Sequence, residues 1–363
     1  MEKGLFVKDI LPGQVVKGLF YVEQAYLKQA RTGQAYWSLK LKDVSGTLEA
    51  KVWKPELSGL KSLPEVGQVL EVAKAKSDQY LDQLQLVIEK ANLLPDSQKN
   101  GLDPSFFLGF GPFKVEALWA RLEALISEHL CKTPWEPLLY DFLSDEALTK
   151  KFKLCPGAKR LHHAYLGGLL EHSLTVLELC LNFAKIYQDL DGPTLLSGAL
   201  FHDIGKLEEY SYNLSIEITP QGKLLGHMVL GTLLLEPRLK KAKIPEILAE
   251  HLRHLILSHH GSLEYGACVL PQTKEALALH FADNLDAKMH MAKKALESVE
   301  PLGWTQKLPG LDQRTLCKMP NSVNLTKVDQ AIVNLPPPSS GPKTGNIKAP
   351  QAGDADCLSL LKV

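Results

Sequence analysis

Residues 196–207 read LSGALFHDIGKL, and their apolar side chains recur at the spacing of one helix face. Plotted at about 100° per residue, Leu196, Leu200 and Leu207 share a stripe with Asp203. An isolated buried carboxylate is costly unless it is paired, neutralised or bound to a metal. The sequence therefore predicts a helix that directs Asp203 inward, with His202 beside it.

Polar residues interrupt the apolar faces of two further predicted helices. On the helix expected over residues 165–186, His172 shares a face with Leu169. On the helix over residues 275–292, Asp283 shares a face with Leu279. A core hydrogen bond or a buried His–Asp pair explains any one of these positions well. Three such positions together favour a shared metal site.

More imidazoles lie at the ends of predicted helices. His227 follows a glycine at the start of an apolar helix, and His259 and His260 precede Gly261 at the end of another. Histidine is the commonest ligand for transition metals. The inward set has five imidazoles and two carboxylates, namely His172, His202, His227, His259, His260, Asp203 and Asp283. This set is too large for one tetrahedral ion and suits two divalent cations.

The N-terminal part of the chain has the alternation of β-strands. From Leu5 to about Ala91, short apolar runs alternate with turn signals, which predicts a small barrel or sandwich. Aromatic and basic side chains are predicted on one outward face, namely Tyr36, Lys40, Lys42, Lys51 and Trp53. Such a face is typical of proteins that bind single-stranded nucleic acid. Alternatively, Trp53 covers the barrel core and the lysines protect a strand edge.

These patterns predict an α+β multidomain chain. Residues 1–91 form the β domain, 92–111 a linker rich in glycine and proline, 112–302 a helical bundle, and 303–363 a low-complexity tail without regular structure. After a first helix from about residue 115, helical segments are expected near residues 135–152, 161–188, 193–210, 222–236, 244–259 and 273–297. Residues 212–222 are expected to form a loop.

Bulk composition describes a soluble chain without a membrane span. It has 41 basic and 41 acidic residues, and no apolar stretch approaches the roughly 20 residues that cross a bilayer. The N-terminus lacks a signal-peptide core, and the six cysteines are scattered, which favours the cytoplasm. Zero net charge neither supports nor excludes nucleic acid. Assembly into a homo-oligomer is left open.

The ordered set of His172, His202-Asp203 and Asp283 resembles the HD superfamily of metal-dependent phosphohydrolases. The additional histidines His227, His259 and His260 resemble those of its two-metal subgroup. Lys206 matches a lysine that often follows the His-Asp doublet.

The match extends to the YhaM family of bacterial 3′→5′ exoribonucleases. Residues 162–172, 255–261 and 282–288 resemble that family's HD domain, and residues 41–53 are similar to the second and third strands of its OB-fold domain. The resemblance covers roughly Leu5 to Leu302. It implies an N-terminal OB-fold barrel, an all-α HD domain, and degradation of single-stranded RNA, and also of DNA. It favours manganese, while iron, cobalt, nickel, zinc and magnesium remain compatible.

The leading hypothesis is a two-metal exoribonuclease in which Asp203 bridges the ions. Lys206 would offset charge on the phosphoryl oxygens, and His163, within the matching segment, would assist at the substrate phosphate. A second hypothesis is a nucleotidase or cyclic-nucleotide phosphodiesterase with a regulatory OB domain. A third is a non-catalytic RNA-binding adaptor.

Overall fold

A computed structural model describes residues 2–80, 83–99, 101–159 and 163–320. The first part of the chain is a closed barrel with the strand order β1-β2-β3-β5-β4. All strand pairs are antiparallel except β3 with β5, which is parallel. A closed five-stranded barrel of this order is an OB-fold, so the predicted barrel is confirmed. The strands are β1 (Val15–Gln29), β2 (Ala35–Asp43), β3 (Gly46–Val52), β4 (Val69–Tyr80) and β5 (Gln83–Leu93).

Strand alternation builds the barrel core. Leu39 and Leu41 of β2 are fully buried, and so are Ala50 and Val52 of β3, which pair with the same stretch. The 15-residue strand β1 pairs with β2 and with β4, and register shifts near Gly18 and between Val22 and Gln24 interrupt its ladders. Such bulges bend a strand, which lets it close a small barrel.

The segment after the barrel packs against the barrel. Strand β5 continues to Leu93, two residues past the expected boundary. Leu94, Leu102 and Phe107 are then buried in a small core with residues of β1 and β4. Farther along, the N–H of Leu166 donates to the carbonyl of Gly109. The residues expected to form a linker therefore make contacts with both domains. Short helices α1 (Pro55–Ser58) and α2 (Asp96–Lys99) lie within and after the barrel.

The rest of the described chain is mainly helical, as predicted. A single apolar core joins its helices, and a two-stranded hairpin of β6 (Tyr210–Ser211) and β7 (Glu217–Ile218) lies between two of them. The helices are α3 (Val115–His129), α4 (Glu136–Ser144), α5 (Glu146–Leu154), α6 (Gly168–Ile186), α7 (Gly192–Phe201), α8 (Lys206–Glu209), α9 (Pro220–Lys241), α10 (Glu246–Ser258) and α11 (Lys274–Glu297).

The helix predicted over residues 193–210 is broken in the structure. Helix α7 ends at Phe201, residues 202–205 form a turn, and α8 begins at Lys206. Two backbones approach closely at the end of this break, where a Cβ atom on Gly205 would lie 1.8 Å from the carbonyl oxygen of His227. Asp203 is buried as expected, but it lies in a turn instead of a continuous helix.

Other boundaries differ through local caps. The segment predicted near residues 135–152 divides at Asp145, whose carboxylate accepts from the N–H of Leu148 and starts α5. Helix α9 has a non-helical residue inside it, Gly226 with φ 69°, so His227 begins its second half. The predicted loop at residues 212–222 contains β7 and the first turn of α9. Helix α6 starts at Gly168, and residues 161–162 of the predicted helix lie outside the described residues.

The predicted tail is wrong for residues 303–320, which have structure. Trp304 pairs with Cys317 and Leu308 with Arg314 in isolated bridges. The turn at Pro309–Leu311 lies against α11, where it buries Leu311 and contacts Met291. Leu311 is buried by packing against α11, and the sequence pattern did not predict this contact. Residues 321–363 of the predicted tail lie outside the described residues. Within the described residues, no helix combines the length and apolarity needed to cross a bilayer.

Candidate metal centre

Side chains from three helical elements meet in the core of the helical domain. His172 projects from the middle of α6 and is fully buried. Its Nε2 lies 3.2 Å from Nε2 of His202, 3.4 Å from Oδ2 of Asp203 and 3.1 Å from Oδ1 of Asp283. His172, His202 and Asp203 thus form one group whose ligand atoms could hold a metal ion. Asp283, on α11, lies beside it.

A second group adjoins the first. The ligand atoms of His227, His259 and His260 lie within 4.8 Å of one another. Helix-end geometry places them, because His227 follows the break in α9 and the other two follow the last residue of α10. Oδ1 of Asp203 lies 3.4 Å from Nε2 of His227 and 3.6 Å from Nε2 of His259.

The carboxylate of Asp203 faces both groups. Its Oδ2 lies near His172 and His202 and accepts a hydrogen bond of 2.5 Å from Lys206, whereas its Oδ1 lies near His227 and His259. Among the described residues, Oδ1 of Asp203 and Nε2 of His227 are buried without a hydrogen-bond partner. Buried polar atoms without partners are costly, and a bound cation would satisfy both. The donors therefore fit divalent metal ions.

The outward nitrogens of the imidazoles are also fixed. Nδ1 of His202, His259 and His260 faces a backbone carbonyl, at 2.9, 2.7 and 2.8 Å respectively. A carbonyl only accepts, so Nδ1 carries the proton and Nε2 keeps its lone pair for a ligand. Nδ1 of His172 and of His227 instead faces a carboxylate. Such outer partners are typical of histidines that bind metals.

Those two carboxylates, Asp286 and Glu209, were not predicted as site residues. Oδ2 of Asp286 lies 2.6 Å from Nδ1 of His172, and Oε2 of Glu209 lies 3.3 Å from Nδ1 of His227. Both acids are buried, like the predicted ligands. The one available signal was position, because Asp286 falls one helical turn after Asp283.

The carboxylates create a potential that attracts positive charge. Burial lowers the pKa of His172, but hydrogen bonds to Asp283 and Asp286 outweigh this and raise it to about 10. Burial opposes ionisation of Asp203, yet Lys206 and the imidazoles hold the pKa of its carboxyl well below the usual range. At His260, burial and two neighbouring imidazoles lower the pKa to about 3, so this ring stays neutral.

His163 lies behind the two candidate metal-binding groups, on the far side of Asp286. It is 2% exposed and adopts a left-handed backbone with φ 49°. Its Nε2 lies 2.9 Å from Asp286, and its Nδ1 lies 2.9 Å from the hydroxyl of Tyr165, which donates to Glu171. His163 is not among the residues that line the cavity next to the metal groups. This position suits a role in holding Asp286 and His172.

A cavity of about 380 Å³ opens beside both groups. Helix ends and α11 supply its walls, which include Asp203, Lys206, His227, His260 and Asp283 together with Tyr210, Tyr265, His280 and Asn284. The ammonium of Lys206 is held by Asp203 and by the carbonyl of Gly157 at 2.6 Å. Burial lowers the pKa of Lys206, but Asp203 outweighs burial and raises it, so the side chain stays charged.

The barrel residues predicted to contact nucleic acid fall into three different settings. The rings of Tyr36 and Trp53 stack with centroids 4.5 Å apart, and the ammonium of Lys51 lies within 6 Å of both. Lys40 forms an ion pair of 2.8 Å with Glu23. Lys42 lines a separate cleft of about 280 Å³ between the barrel and a part of the helical domain that includes Lys159, Ala164 and residues 214–217.

Strand β1 adds two residues that the sequence analysis did not name. Lys28 pairs with Tyr36 in the ladder, and Tyr26 pairs with Ser38 two positions along. Tyr26 is 52% exposed, and Lys28 lies 5.8 Å from its ring. The aromatic and basic face thus extends across three strands. Only the pairing of β1 with β2 shows that these two residues share the face, and the sequence pattern of one strand does not give that pairing.

Comparison with known proteins gives consistent matches. The family model of the HD domain matches residues 169–288. The chain is 31% identical over 318 residues to the 3′-5′ exoribonuclease YhaM of Bacillus subtilis (strain 168), covering 88% of this chain and 98% of that protein. It is 31% identical over 321 residues to the protein of the same name from Bacillus velezensis, with the same coverage.

Solved structures resemble each part separately. The HD domain of the phosphodiesterase PgpH from L. monocytogenes is 19% identical, covers 52% of this chain and 83% of that chain, and gives a TM-score of 0.28. The second OB-fold domain of replication protein A from Methanococcus maripaludis is 17% identical, covers 25% and 95%, and gives a TM-score of 0.21.

Proposed function

Because the chain belongs to the YhaM family of 3′-5′ exoribonucleases and contains an HD domain, we propose that it shortens single-stranded RNA from the 3′ end with two divalent cations. The observation that carries the two-ion proposal is the carboxylate of Asp203. One of its oxygens faces each group of imidazoles, and the oxygen near His227 has no hydrogen-bond partner among the described residues.

The ligands divide between the two groups. Asp203 would be shared between the two ions, His172, His202 and Asp283 would complete the first group, and His227, His259 and His260 would complete the second. The supporting observation is that the five imidazoles each direct Nδ1 to an outer acceptor. Imidazole and carboxylate donors suit several first-row metals. We favour manganese on family resemblance, with iron, cobalt, nickel, zinc and magnesium as alternatives.

When bound, divalent cations lower the pKa of water and offset negative charge at phosphorus. The chain's own residues prepare the site for this chemistry. Lys206 places a fixed ammonium on the cavity wall, where it stabilises charge that grows on the phosphoryl oxygens. His163 was expected at the substrate phosphate, but its contacts support a positioning role behind Asp286.

The barrel binds the single-stranded RNA. Bases stack on the Tyr36–Trp53 pair, and Lys51 and Lys28 neutralise phosphates nearby. Stacking does not depend on base identity, so this surface accepts many sequences and both RNA and single-stranded DNA. We place the activity in the cytoplasm, where the five described cysteines, all unpaired, stay reduced.

A labelled single-stranded RNA tests the proposal. With manganese, a 5′-labelled RNA should shorten stepwise, whereas a 3′-labelled RNA should release labelled mononucleotide at once. Asp203→Ala should abolish both, and Asp9→Ala, at an exposed carboxylate of the barrel domain, should match the wild type. Elemental analysis should find about two ions per chain. Hydrolysis confined to mononucleotides or cyclic nucleotides would instead support the nucleotidase hypothesis, and RNA binding without hydrolysis would support the adaptor.

A further inference from the structure

An exposed tyrosine lies at the opening of the metal cavity, which is the space of about 380 Å³ beside the two candidate metal-binding groups. Tyr265 lines the cavity together with Asp203 and His260. It is 62% exposed and belongs to none of the hydrophobic clusters formed by the described residues. Packing within the fold therefore does not explain an aromatic side chain at this position.

The backbone of Tyr265 is fixed to the metal centre. Nδ1 of His260 donates to the carbonyl of Tyr265 at 2.8 Å. His260 therefore lines the cavity and also holds the turn that carries Tyr265. Tyr265 ends a short 3-10 turn that begins at Leu263 and is capped by the hydroxyl of Ser262. Gly266 follows with φ 90°, a conformation that favours glycine, and its N–H donates back to Leu263. The ring thus projects from a tightly bonded turn.

The cavity has room for about one nucleotide. Its volume of about 380 Å³ lies near the lower end of the ~300–1,000 Å³ range of small-molecule sites. Asp203, Asp283 and Lys206 occupy its inner wall, where a phosphate would meet the cations. Tyr265 lines the same cavity but is largely exposed, so it lies toward the mouth. A nucleotide with its phosphate at the inner wall would bring its base to this ring.

We propose that Tyr265 is the stacking platform for the base of the 3′-terminal nucleotide. This inference rests on the proposed exoribonuclease function and adds a binding subsite to it. A preformed aromatic surface holds a base without reading its identity, because every base has a π face. The subsite would therefore position the last phosphodiester for hydrolysis in any sequence.

The test separates the base from the phosphate. Two 5′-labelled RNAs are compared, one with an ordinary 3′-terminal nucleotide and one with a 3′-terminal abasic ribose. On the ordinary RNA, Tyr265→Ala should lower kcat/KM for the first cleavage about 5- to 160-fold, the range expected for one base stack. On the abasic RNA it should differ from the wild type by less than twofold. Tyr265→Phe keeps the ring and should retain nearly full activity on both.

Two controls keep the result interpretable. Tyr140→Ala removes an exposed tyrosine on α4, outside the metal cavity, and should leave both substrates unaffected. Metal content should be the same in every variant. Equal losses of Tyr265→Ala on the two RNAs, or no loss on either, would overturn the stacking subsite while leaving the exoribonuclease function intact. Wild-type protein that cleaves neither RNA would overturn the proposed function itself.

Discussion

Substitution of Asp286 by Asn tests whether the carboxylate behind His172 sets metal affinity. In the structure one oxygen of Asp286 contacts two imidazoles, Nδ1 of His172 at 2.6 Å and Nε2 of His163 at 2.9 Å. Burial opposes its ionisation, but hydrogen bonds from His163 and His172 lower its pKa, so Asp286 is charged. Its negative charge beside Nδ1 makes Nε2, on the other side of the His172 ring, a stronger electron-pair donor to a metal ion. Asn keeps the shape and removes the charge.

The expected size follows from the role of such outer partners. Their replacement weakens metal binding by about 10- to 100-fold, or ~1.4–2.7 kcal/mol. Since the ligands themselves remain, the loss should be recovered by added metal. We therefore expect the manganese concentration for half-maximal RNA hydrolysis to rise 10- to 100-fold, while the rate at saturating manganese falls by less than threefold.

Titration of activity with manganese, alongside competition against a chromophoric chelator, measures both quantities. Asp189→Asn is the matched control, because Asp189 is an exposed acid whose ion pair with Lys274 lies outside the metal cavity. An unchanged manganese requirement in Asp286→Asn would refute the reasoning. So would a rate that stays low at every manganese concentration with full metal content, because the carboxylate would then act in the reaction and not through His172.

Two further predictions concern protons and the barrel. His172 must lose its Nε2 proton to bind a metal, and the carboxylates of Asp283 and Asp286 raise its pKa to about 10, so the proton is held at neutral pH. Between pH 6 and 8.5 the manganese requirement should therefore fall about tenfold per pH unit. A flat profile would contradict competition between this proton and the metal. Trp53→Ala removes half of the stacked pair and should raise KM for a 20-nucleotide RNA about 5- to 160-fold with little change in kcat. Leu57→Ala, at an exposed site, should leave KM unchanged. Equal kinetics for the two variants would argue against the barrel surface.

Regular periodicity in the sequence was enough to predict which side chains of a strand or a helix are buried. Alternation placed Leu39 and Leu41 inside a barrel, and the helical stripe placed His172 inside the bundle, as the structure shows. The break at residues 202–205 could not be predicted from the pattern. It coincides with the close approach of Gly205 to the backbone at His227, which is 22 residues farther along the chain. Periodicity describes one element at a time, whereas this break arises between two.

The same limit explains the missed carboxylates. Asp286 contacts His172 across 114 residues, and Glu209 contacts His227 across 18. Apart from the position of Asp286 one helical turn after Asp283, nothing in the local pattern separates such an acid from one on a solvated face. Conversely, the local pattern grouped Lys40 and Lys42 with the aromatic residues, although Lys40 is paired with Glu23 and Lys42 faces the second domain. Alternation identifies the face of a strand, and only the pairing identifies its neighbours.

The division of labour between the two domains follows from the size of the metal cavity. A cavity with room for about one nucleotide contacts little of a long RNA, and its charged wall acts mainly on the phosphate. Binding energy remote from the reacting bond must then come from elsewhere, and the stacked pair on the barrel is its proposed source. Because both surfaces belong to one chain, a strand bound to the barrel as proposed would meet the metal centre at a high effective concentration. Loss of the barrel surface should therefore harm long substrates far more than dinucleotides, whereas loss of Asp203 should harm all lengths equally.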